Sequence, residues 1–272
     1  MKVYPGDGLI EKLLSSEPAA NAGLIWDRYL EVRGPKKRRD DKADELGPIL
    51  ASFKKEFNRK TGASLLAAYH ERFGRALQAW SGSRVTTAVI SHRTAWRLAT
   101  GLGIAHSTEN GFSFEPNIGV PYLPGSSVKG LCRRTAAVLE WEPDQISDLF
   151  GPEKVSSTRR AFQGKLIFFD ALPTKWPELE VDIVNCHHPA YYSSLSNKKD
   201  RKRPSETESP VPVLFLTVAP DTTFTFRMAA PDRASLDQGL SLLKDGLDLL
   251  GIGAKTAVGY GVMVPPKQGT SS

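Results

Sequence analysis

The sequence predicts an α+β fold, in which a helical N-terminal region joins a ferredoxin-like core with the element order βαββαβ. Three observations favour it. The first eighty or so residues place apolar side chains three and four positions apart, as amphipathic helices do. From residue 84 onward, segments rich in β-branched and aromatic residues alternate with two helical segments. Long polar stretches with glycine and proline separate these elements and predict loop insertions.

The N-terminal region, residues 1–83, contains four segments with helical spacing. They read DGLIEKLL, LIWDRYLEV, ILASFKKEF and SLLAAYHERFGRALQAW. The stretch GPKKRRDDK interrupts them and predicts a loop. We expect these helices to pack on the core.

Two helices are predicted in the core. The first follows a Pro-Gly turn, with Ser126 as its N-cap. The second has Asp232 as its N-cap and leucines stepping by three and four residues. Gly251 stands where a glycine commonly ends a helix.

The strands of the core are predicted from runs of β-branched and aromatic residues. These runs are RVTTAVIS, RTAWRLATG, GKLIFFDALP, VDIVNC, VPVLFLTVAP, TTFTFRMAAP and VGYGVMV. VPVLFLTVAP and TTFTFRMAAP are expected to form an antiparallel pair. The core domain is thus predicted over residues 84–265, and residues 266–272 are expected to form a disordered tail.

The net charge of +6 is concentrated in two short runs. Lys36–Lys42 carries +3 and Lys198–Arg203 carries +4, so the rest of the chain sums to −1. Such runs are either solvated loops or surfaces that attract a polyanion. Both interpretations stay open at this point.

We expect a cytoplasmic protein without a membrane segment. The two cysteines stand 54 positions apart, which fits a reducing compartment and excludes a cysteine zinc motif. The start of the chain lacks the apolar stretch of a signal peptide. The longest apolar run, Val213–Ala219, is too short to span a bilayer. No metal-ligand spacing is present, and we expect no metal and no cofactor.

LPGSSVKGLCRR has the residues of a phosphate-binding helix start. Ser126 and Ser127 add hydroxyl donors to the first turn, where the helix dipole favours anions. Lys129 and Arg133 lie four apart on one face, with Gly130 between them. A capped helix with ordinary surface cations is the alternative.

GIGAKTAVGYG is a second candidate, with Gly251, Gly253, Gly259 and Gly261 in eleven residues. It matches neither the nucleoside-triphosphate loop nor the dinucleotide fingerprint, because the lysine and glycine spacings differ and the loop follows a helix. The second glycine pair and Lys255-Thr256 exceed what a turn requires.

A histidine pair opens the second basic run. His187 and His188 stand beside Tyr191 and Tyr192, a combination that allows either acid–base RNA cleavage or base stacking. No second catalytic group has a diagnostic spacing. Asp170, at the end of a predicted strand, is interpreted as a cap of a turn.

Together, WRLATGLG, GVPYLPGSSVKGLCR, GKLIFFDALP, DIVNCHHPAYY and GIGAKTAVGYG resemble the RAMP superfamily of CRISPR proteins, over about residues 84–264. The glycine loop matches that superfamily's G-h-G-x5-G-h-G pattern, where h is apolar. Within the superfamily, the chain most resembles the sixth-subunit family of the type III-B (Cmr) effector complex.

The resemblance implies a non-catalytic subunit that binds CRISPR guide RNA near its 3′ end in antiviral defence. Its partners would be guide RNA, target RNA and other Cmr subunits, with the backbone subunit and the first subunit as neighbours. The alternative is a metal-independent endoribonuclease that processes CRISPR RNA, with His187 or His188 in its site. The predicted RNA-binding residues are Arg93, Arg97, Ser126, Ser127, Lys129, Gly130, Arg133, His187, Tyr191, Tyr192, Lys198, Lys199, Gly253, Ala254, Lys255 and Thr256.

Overall fold

A computed structural model describes most of the chain. The described residues are 21–29, 42–60, 62–81, 85–153, 161–195, 201–205 and 210–267. The predicted helix DGLIEKLL, basic residues 36–41, Lys198 and Lys199 lie outside these ranges. Within them, no helix is both long and apolar enough to span a membrane.

Helices precede the first strand. A short helical segment, Ala22–Leu24, continues as a π-helical turn at Ile25–Tyr29. Helix α1 spans Lys42–Phe57 and helix α2 spans Ala63–Trp80. The buried apolar side chains of α1 follow the predicted three- and four-residue spacing. They are Leu46, Leu50, Phe53 and Phe57.

The remaining elements are a mixture of helices and strands. In chain order they are β1 (Thr86–Thr94), α3 (Gly125–Val138), α4 (Pro143–Phe150), β2 (Ile167–Phe168), β3 (Leu172–Pro173), β4 (Leu179–Cys186), α5 (Pro189–Ser194), β5 (Val211–Val218), β6 (Thr223–Ala230), α6 (Arg233–Leu249) and β7 (Met263–Val264). This mixture of helices and antiparallel sheet confirms the predicted α+β class.

Strand β6 is the centre of the main sheet. The strand order is β2-β6-β1-β7, and β3 also pairs with β6. All these pairings are antiparallel. Phe224, Phe226 and Met228 of β6 are buried because strands flank it on both sides and α6 packs on one face.

Helices α3 and α6 approach each other closely. A Cβ atom on Gly246 of α6 would overlap Thr135 and Leu131 of α3. A Cβ on Gly239 would lie 2.7 Å from the sulfur of Met228. These two helical glycines therefore have a packing reason that offsets their low helix propensity.

One predicted strand pairing is wrong. VPVLFLTVAP and TTFTFRMAAP do not pair with each other, because β5 pairs with β4 over eight residues in a separate two-stranded sheet. The physical reason is that both edges of β6 are taken, one by β1 and the other by β2 and β3.

Other strands are shorter than predicted. GKLIFFDALP is divided into β2 and β3, and VGYGVMV is extended only at Met263–Val264. RTAWRLATG bends after Thr94 and then makes isolated bridges at Leu98 and Ala99. In each case a bend or turn ends the regular ladder that the composition predicted.

Helix caps were predicted with mixed success. Asp232 accepts the N–H of Ser235 at 2.8 Å and caps α6, as predicted. The prediction that Ser126 caps α3 is wrong, because the N-cap is Pro124 and the helix begins at Gly125. Asp170 accepts the Gly125 N–H at 2.7 Å, so a distant carboxylate supplies the cap.

A buried arginine joins α2 to the sheet. Arg227 of β6 is 5% exposed, and its Nη2 donates to Nδ1 of His70 at 2.6 Å. Nε2 of His70 donates to the Pro173 carbonyl at 2.8 Å, so the ring is neutral. The guanidinium also lies 4.9 Å from the ring centroid of Phe73. Burial and the Arg227 charge hold the pKa of His70 below its ordinary value of 6.5.

The lowered pKa of His70 predicts that the protein becomes less stable as the pH falls. Below about pH 6.5, the unfolded chain binds a proton at His70 that the folded protein does not, so the free energy of unfolding decreases as the pH falls. We expect a smaller decrease in His70→Gln, measured by urea unfolding at two pH values. The pKa of His92 is also lowered. Because His92 is present in both proteins, its effect on the pH dependence cancels in the comparison. Equal pH dependence in the two proteins would contradict the assignment.

Candidate nucleic-acid interface

The glycine loop, residues 251–261, follows α6 directly. All four of its glycines have positive φ angles, which are 69°, 100°, 95° and 70°. The N–H of Gly251 donates to the carbonyl of Gly246 at 3.0 Å and ends the helix, as predicted. Glycine is the residue that adopts this backbone region without strain.

The loop is paired with the segment after β1. The N–H of Gly261 donates to the Arg97 carbonyl at 2.9 Å, and the N–H of Ala254 donates to the Ala99 carbonyl at 2.7 Å. A Cβ atom on Gly253 would overlap the Ala99 carbonyl, and one on Gly261 would overlap the Ile252 carbonyl. We expected the second glycine pair to exceed what a turn requires, and this expectation is corrected. Gly259 and Gly261 both have positive φ angles, and Gly261 leaves no room for a side chain, so the fold of the loop itself requires the pair.

The glycine loop and α3 line a common groove, here called the glycine groove. Its volume is about 550 Å³. It brings together five predicted site residues. They are Ser127 and Gly130 of α3 and Gly253, Ala254 and Thr256 of the loop. Residues 100–103 form its opposite wall. Two segments more than a hundred residues apart in sequence thus form one surface.

Two other predicted residues face a different cavity, here called the phenylalanine pocket. Ser126 and Lys129 lie at its edge, and its volume is about 390 Å³. Its walls come from the end of α4 and from the segment leading into β2. The lining residues include Phe150, Gly151, Phe162, Gly164 and Phe168. Helix α3 therefore separates the predicted set into two sides.

Helical geometry explains this division. Ser127, Gly130 and Arg134 lie along one edge of the exposed face of α3, while Ser126, Lys129 and Arg133 lie along the other edge. The two edges meet on this face, where Gly130, Arg133 and Arg134 also line a third cavity beside α4.

Arg133 and Arg134 have different roles. The Nη2 of Arg133 donates to the Gly151 carbonyl, and its guanidinium lies 5.9 Å from the ring centroid of Phe150. Arg134 is exposed and lines the glycine groove. Within the described part of the chain, it has no hydrogen-bond or ion-pair partner. Sequence reasoning missed Arg134, although its four-residue spacing from Gly130 was a usable signal.

The other two predicted arginines are engaged by carboxylates. Arg93 pairs with Asp221 at 2.6 Å. Arg97 pairs with Glu180 at 2.5 Å and with Asp182 at 2.7 Å. Both arginines therefore have folding roles that compete with phosphate binding.

Asp182 joins β4 to the glycine loop, because it also accepts the hydroxyl of Tyr260 at 2.6 Å. Burial alone would raise the pKa of Asp182, but its hydrogen bonds from Tyr260 and Arg97 lower it. Burial and the same hydrogen bond raise the pKa of Tyr260 to about 12. The carboxylate is therefore ionised and the phenol neutral at pH 7.

Lys255 is held at the surface of the loop. Its φ angle is 59°, and its Nζ lies 5.4 Å from the ring centroid of Phe215. The lysine is half-buried, so one side of its ammonium group faces the ring and the other remains accessible.

The histidine–tyrosine cluster lies elsewhere. His187 follows β4, and Tyr191 and Tyr192 lie on α5 with ring centroids 5.3 Å apart. Tyr192 is 59% exposed. None of these side chains lines the glycine groove. Lys198 and Lys199 are outside the described residues, so their predicted role stays a prediction.

Other reactive groups are accounted for. Burial raises the pKa of the Cys132 thiol to about 12, which makes it a poor nucleophile. Among the described residues, no group of three histidine, cysteine or acidic side chains could hold a metal ion.

The region that contains the glycine groove and the phenylalanine pocket matches a known family. The model of the RAMP superfamily matches residues 93–264. The chain belongs to the RAMP superfamily. The predicted resemblance is thereby confirmed, and the RAMP region includes α3 as well as the glycine loop.

Two curated relatives are similar to this chain. One, named CRISPR system Cmr subunit Cmr6, from Pyrococcus furiosus, is 30% identical over 226 residues, with 63% of this chain and 66% of the relative covered. The other, named CRISPR system CMR subunit Cmr6, from Saccharolobus solfataricus, is 32% identical over 155 residues, with 56% and 47% covered. The chain thus spans less than two thirds of either relative's length.

One solved structure has a similar fold. A chain of the cryo-EM structure of the Type III-B Cmr-beta bound to cognate target RNA has a TM-score of 0.61 at 21% identity, covering 93% of this chain and 84% of that one. The crystal structure of Cmr6 from Pyrococcus furiosus has a TM-score of 0.41 at 27% identity, with 68% and 99% covered. The first comparison supports the RAMP fold.

The glycine loop predicts a graded response to alanine. Gly261→Ala combines a positive φ with a clash against the Ile252 carbonyl, whereas Gly259→Ala has the positive φ but open space around the new methyl group. We expect Gly259→Ala to lower the free energy of unfolding by about 1 kcal/mol, and Gly261→Ala to lower it by clearly more. Urea unfolding measures both. Equal losses would mean that the close approach to Ile252 is unimportant.

Proposed function

We propose that this protein is a non-catalytic RNA-binding subunit of a type III-B Cmr effector complex, and that it holds the backbone of the guide RNA near its 3′ end. The observation that carries this proposal is the glycine groove. There the exposed side of α3 and the glycine loop of a RAMP protein form one surface. The identity of the complex is inferred from the two relatives, which are both named as subunit Cmr6.

The groove suits a sugar–phosphate backbone. Arg134 supplies a cation without an internal partner among the described side chains, and Ser127 and Thr256 supply hydroxyl donors. Gly130 lets a ligand approach the helix backbone. These contacts recognise phosphate and ribose without reading bases, as a subunit that accepts any guide sequence requires.

The architecture supports a ferredoxin-like core. Taken in chain order, β1, α3, β2, β6, α6 and β7 have the sequence βαββαβ. We place this core at residues 84–265 and treat residues 1–83 as a helical region packed on it. In support, Trp26 and Phe53 belong to the same apolar cluster as Phe226 and Leu243.

Neighbouring subunits and target RNA are the remaining proposed partners. The backbone subunit and the first subunit of the complex are proposed neighbours. Exposed apolar side chains at the C-terminal ends of α3 and α6 are available for protein contacts. They are Val138, Leu139 and Leu249. Tyr191, Tyr192 and the run from Lys198 would face the guide–target duplex, in a cytoplasmic complex.

Arg134 provides the main test. We expect Arg134→Ala to weaken binding of single-stranded CRISPR RNA about tenfold and to reduce the slope of log K against log salt by about 0.7, because one phosphate contact is lost. Fluorescence anisotropy over a range of salt concentrations measures both quantities.

Arg133→Ala is the matched control. It removes the same charge from the adjacent position, but its guanidinium faces Gly151 and Phe150, so we expect lower stability with an unchanged salt slope. Equal effects on RNA binding in the two variants would contradict the proposed site. The same reactions in EDTA should leave repeat RNA uncut. A specific cut that disappears in His187→Ala would favour the endoribonuclease instead.

Gly130 gives a test in which stability and binding move in opposite directions. A Cβ atom at Gly130 would meet nothing within 4 Å, so a helix former such as glutamine should stabilise α3 by roughly 0.5 kcal/mol. In the groove, however, the added side chain would obstruct RNA. We expect Gly130→Gln to raise the Tm and to lower RNA affinity about tenfold.

Gly74 is the control for this substitution. It lies inside α2, and a Cβ there also meets nothing within 4 Å. Gly74→Gln should raise the Tm similarly and leave RNA affinity unchanged. If both variants bind RNA as tightly as the unmodified protein, Gly130 is not a point of RNA contact.

A further inference from the structure

The phenylalanine pocket is separate from the glycine groove but shares α3 with it. Ser126 and Ser127 are adjacent in sequence, as are Lys129 and Gly130. The first of each pair lines the pocket and the second lines the groove. The two cavities therefore lie at the two edges of the same exposed face of α3, and an RNA strand that crosses this face would reach both. The volume of about 390 Å³ is in the range of small-ligand sites, roughly 300–1,000 Å³.

The pocket has an aromatic wall. Phe162 is 49% exposed, which is unusual for a side chain that could bury its whole ring in the core. Phe150 and Phe168, which also line the pocket, stack with an interplanar angle of 13° and a centroid distance of 5.9 Å. A planar apolar group that enters the pocket would thus meet the free ring of Phe162.

The backbone between Phe162 and Phe168 is held against the end of α4. The N–H of Lys165 donates to the Asp148 carbonyl and that of Leu166 to the Leu149 carbonyl, both at 3.0 Å. A Cβ on Gly164 would overlap the backbone of Gly151, so the two segments are in direct contact. A fixed wall lowers the entropic cost of binding.

The polar edge of the pocket carries positive charge. Lys129 and the hydroxyl of Ser126 lie there, and within the described ranges neither side chain has an internal partner. The Gly125 N–H is already bonded to Asp170, so the cation, and not the helix N-terminus, is the group that would attract an anion. An aromatic surface beside one cation and one hydroxyl has the two features that a nucleotide requires, a place for the base and a place for its phosphate.

We propose that the phenylalanine pocket receives one unstacked nucleobase of the bound RNA, which stacks on Phe162 while an adjoining phosphate contacts Lys129 and Ser126. This inference rests on the proposed function, because the RNA must already lie in the glycine groove. The pocket turns a surface that only positions the backbone into one that also holds a base. Stacking accepts every base, so the guide sequence stays unrestricted.

The test measures the affinity of this protein for two ligands of the same length. One is a mixed-sequence single-stranded RNA, and the other is an oligomer of abasic ribose phosphates. We expect Phe162→Ala to weaken binding of the intact RNA by about five- to 150-fold, the effect of losing one stacked base. The salt slope should stay unchanged, because no charge is removed. Binding of the abasic oligomer should be the same in Phe162→Ala and in the unmodified protein. Phe162→Trp should restore binding of intact RNA.

Leu65→Ala is the matched control, since Leu65 is an equally exposed apolar residue, at 51%, and lies on α2. It should leave both affinities unchanged. If Phe162→Ala binds intact RNA as tightly as the unmodified protein, the inference is overturned, while the Arg134 result still decides the proposed function. It is also overturned if Phe162→Ala lowers only assembly with other subunits, because the pocket then receives a protein segment. Absence of RNA binding by the unmodified protein overturns both proposals.

Discussion

The pairing of the glycine loop with residues 95–99 is the contact on which the candidate site depends. The loop donates hydrogen bonds to the carbonyls of Arg97 and Ala99, while Leu98 exchanges hydrogen bonds with Val218 of β5. One short segment thereby joins the end of the main sheet, the second sheet and the loop after α6. Only glycine allows the backbone approach at residues 253 and 261. These close backbone contacts fix the part of the glycine groove that the loop contributes.

The cations around this floor divide into those used for folding and those left for a ligand. Arg93 and Arg97 have carboxylate partners, and Arg133 has a carbonyl and an aromatic ring. A paired arginine contributes to structure, and recruiting it to a phosphate would break a contact that the fold already uses, although Asp221 would keep Lys267 and Asp182 would keep Tyr260. Arg134 and Lys129 carry no such cost. Proximity of a basic residue to a motif in the sequence is consequently a weaker guide than the partners the fold provides.

Glycines within helices show a similar division. Gly239 and Gly246 lie where α6 meets the sheet and α3, and a larger residue would not fit. Gly130 has open space beside it, as Gly74 of α2 also has, so packing gives no reason for either glycine. At Gly130 the proposed RNA would supply a reason, and the comparison with Gly74 tests it. Gly130 lines the glycine groove, and its neighbour Lys129 lines the phenylalanine pocket.

The sequence by itself determined the fold class, the RAMP family, the Asp232 cap, the Gly251 helix end and the two segments that meet in the groove. These depend on local spacing and turn chemistry, which a sequence displays directly. Tertiary structure alone decided the partner of β5, because edge availability on β6 is a property of the assembled sheet. It also decided that Arg133 turns inward while Arg134 faces the groove, since the partners Gly151 and Phe150 come from another element. The aromatic wall around Phe162 had no sequence signal, because the end of α4 and the segment leading into β2 form one wall only through packing.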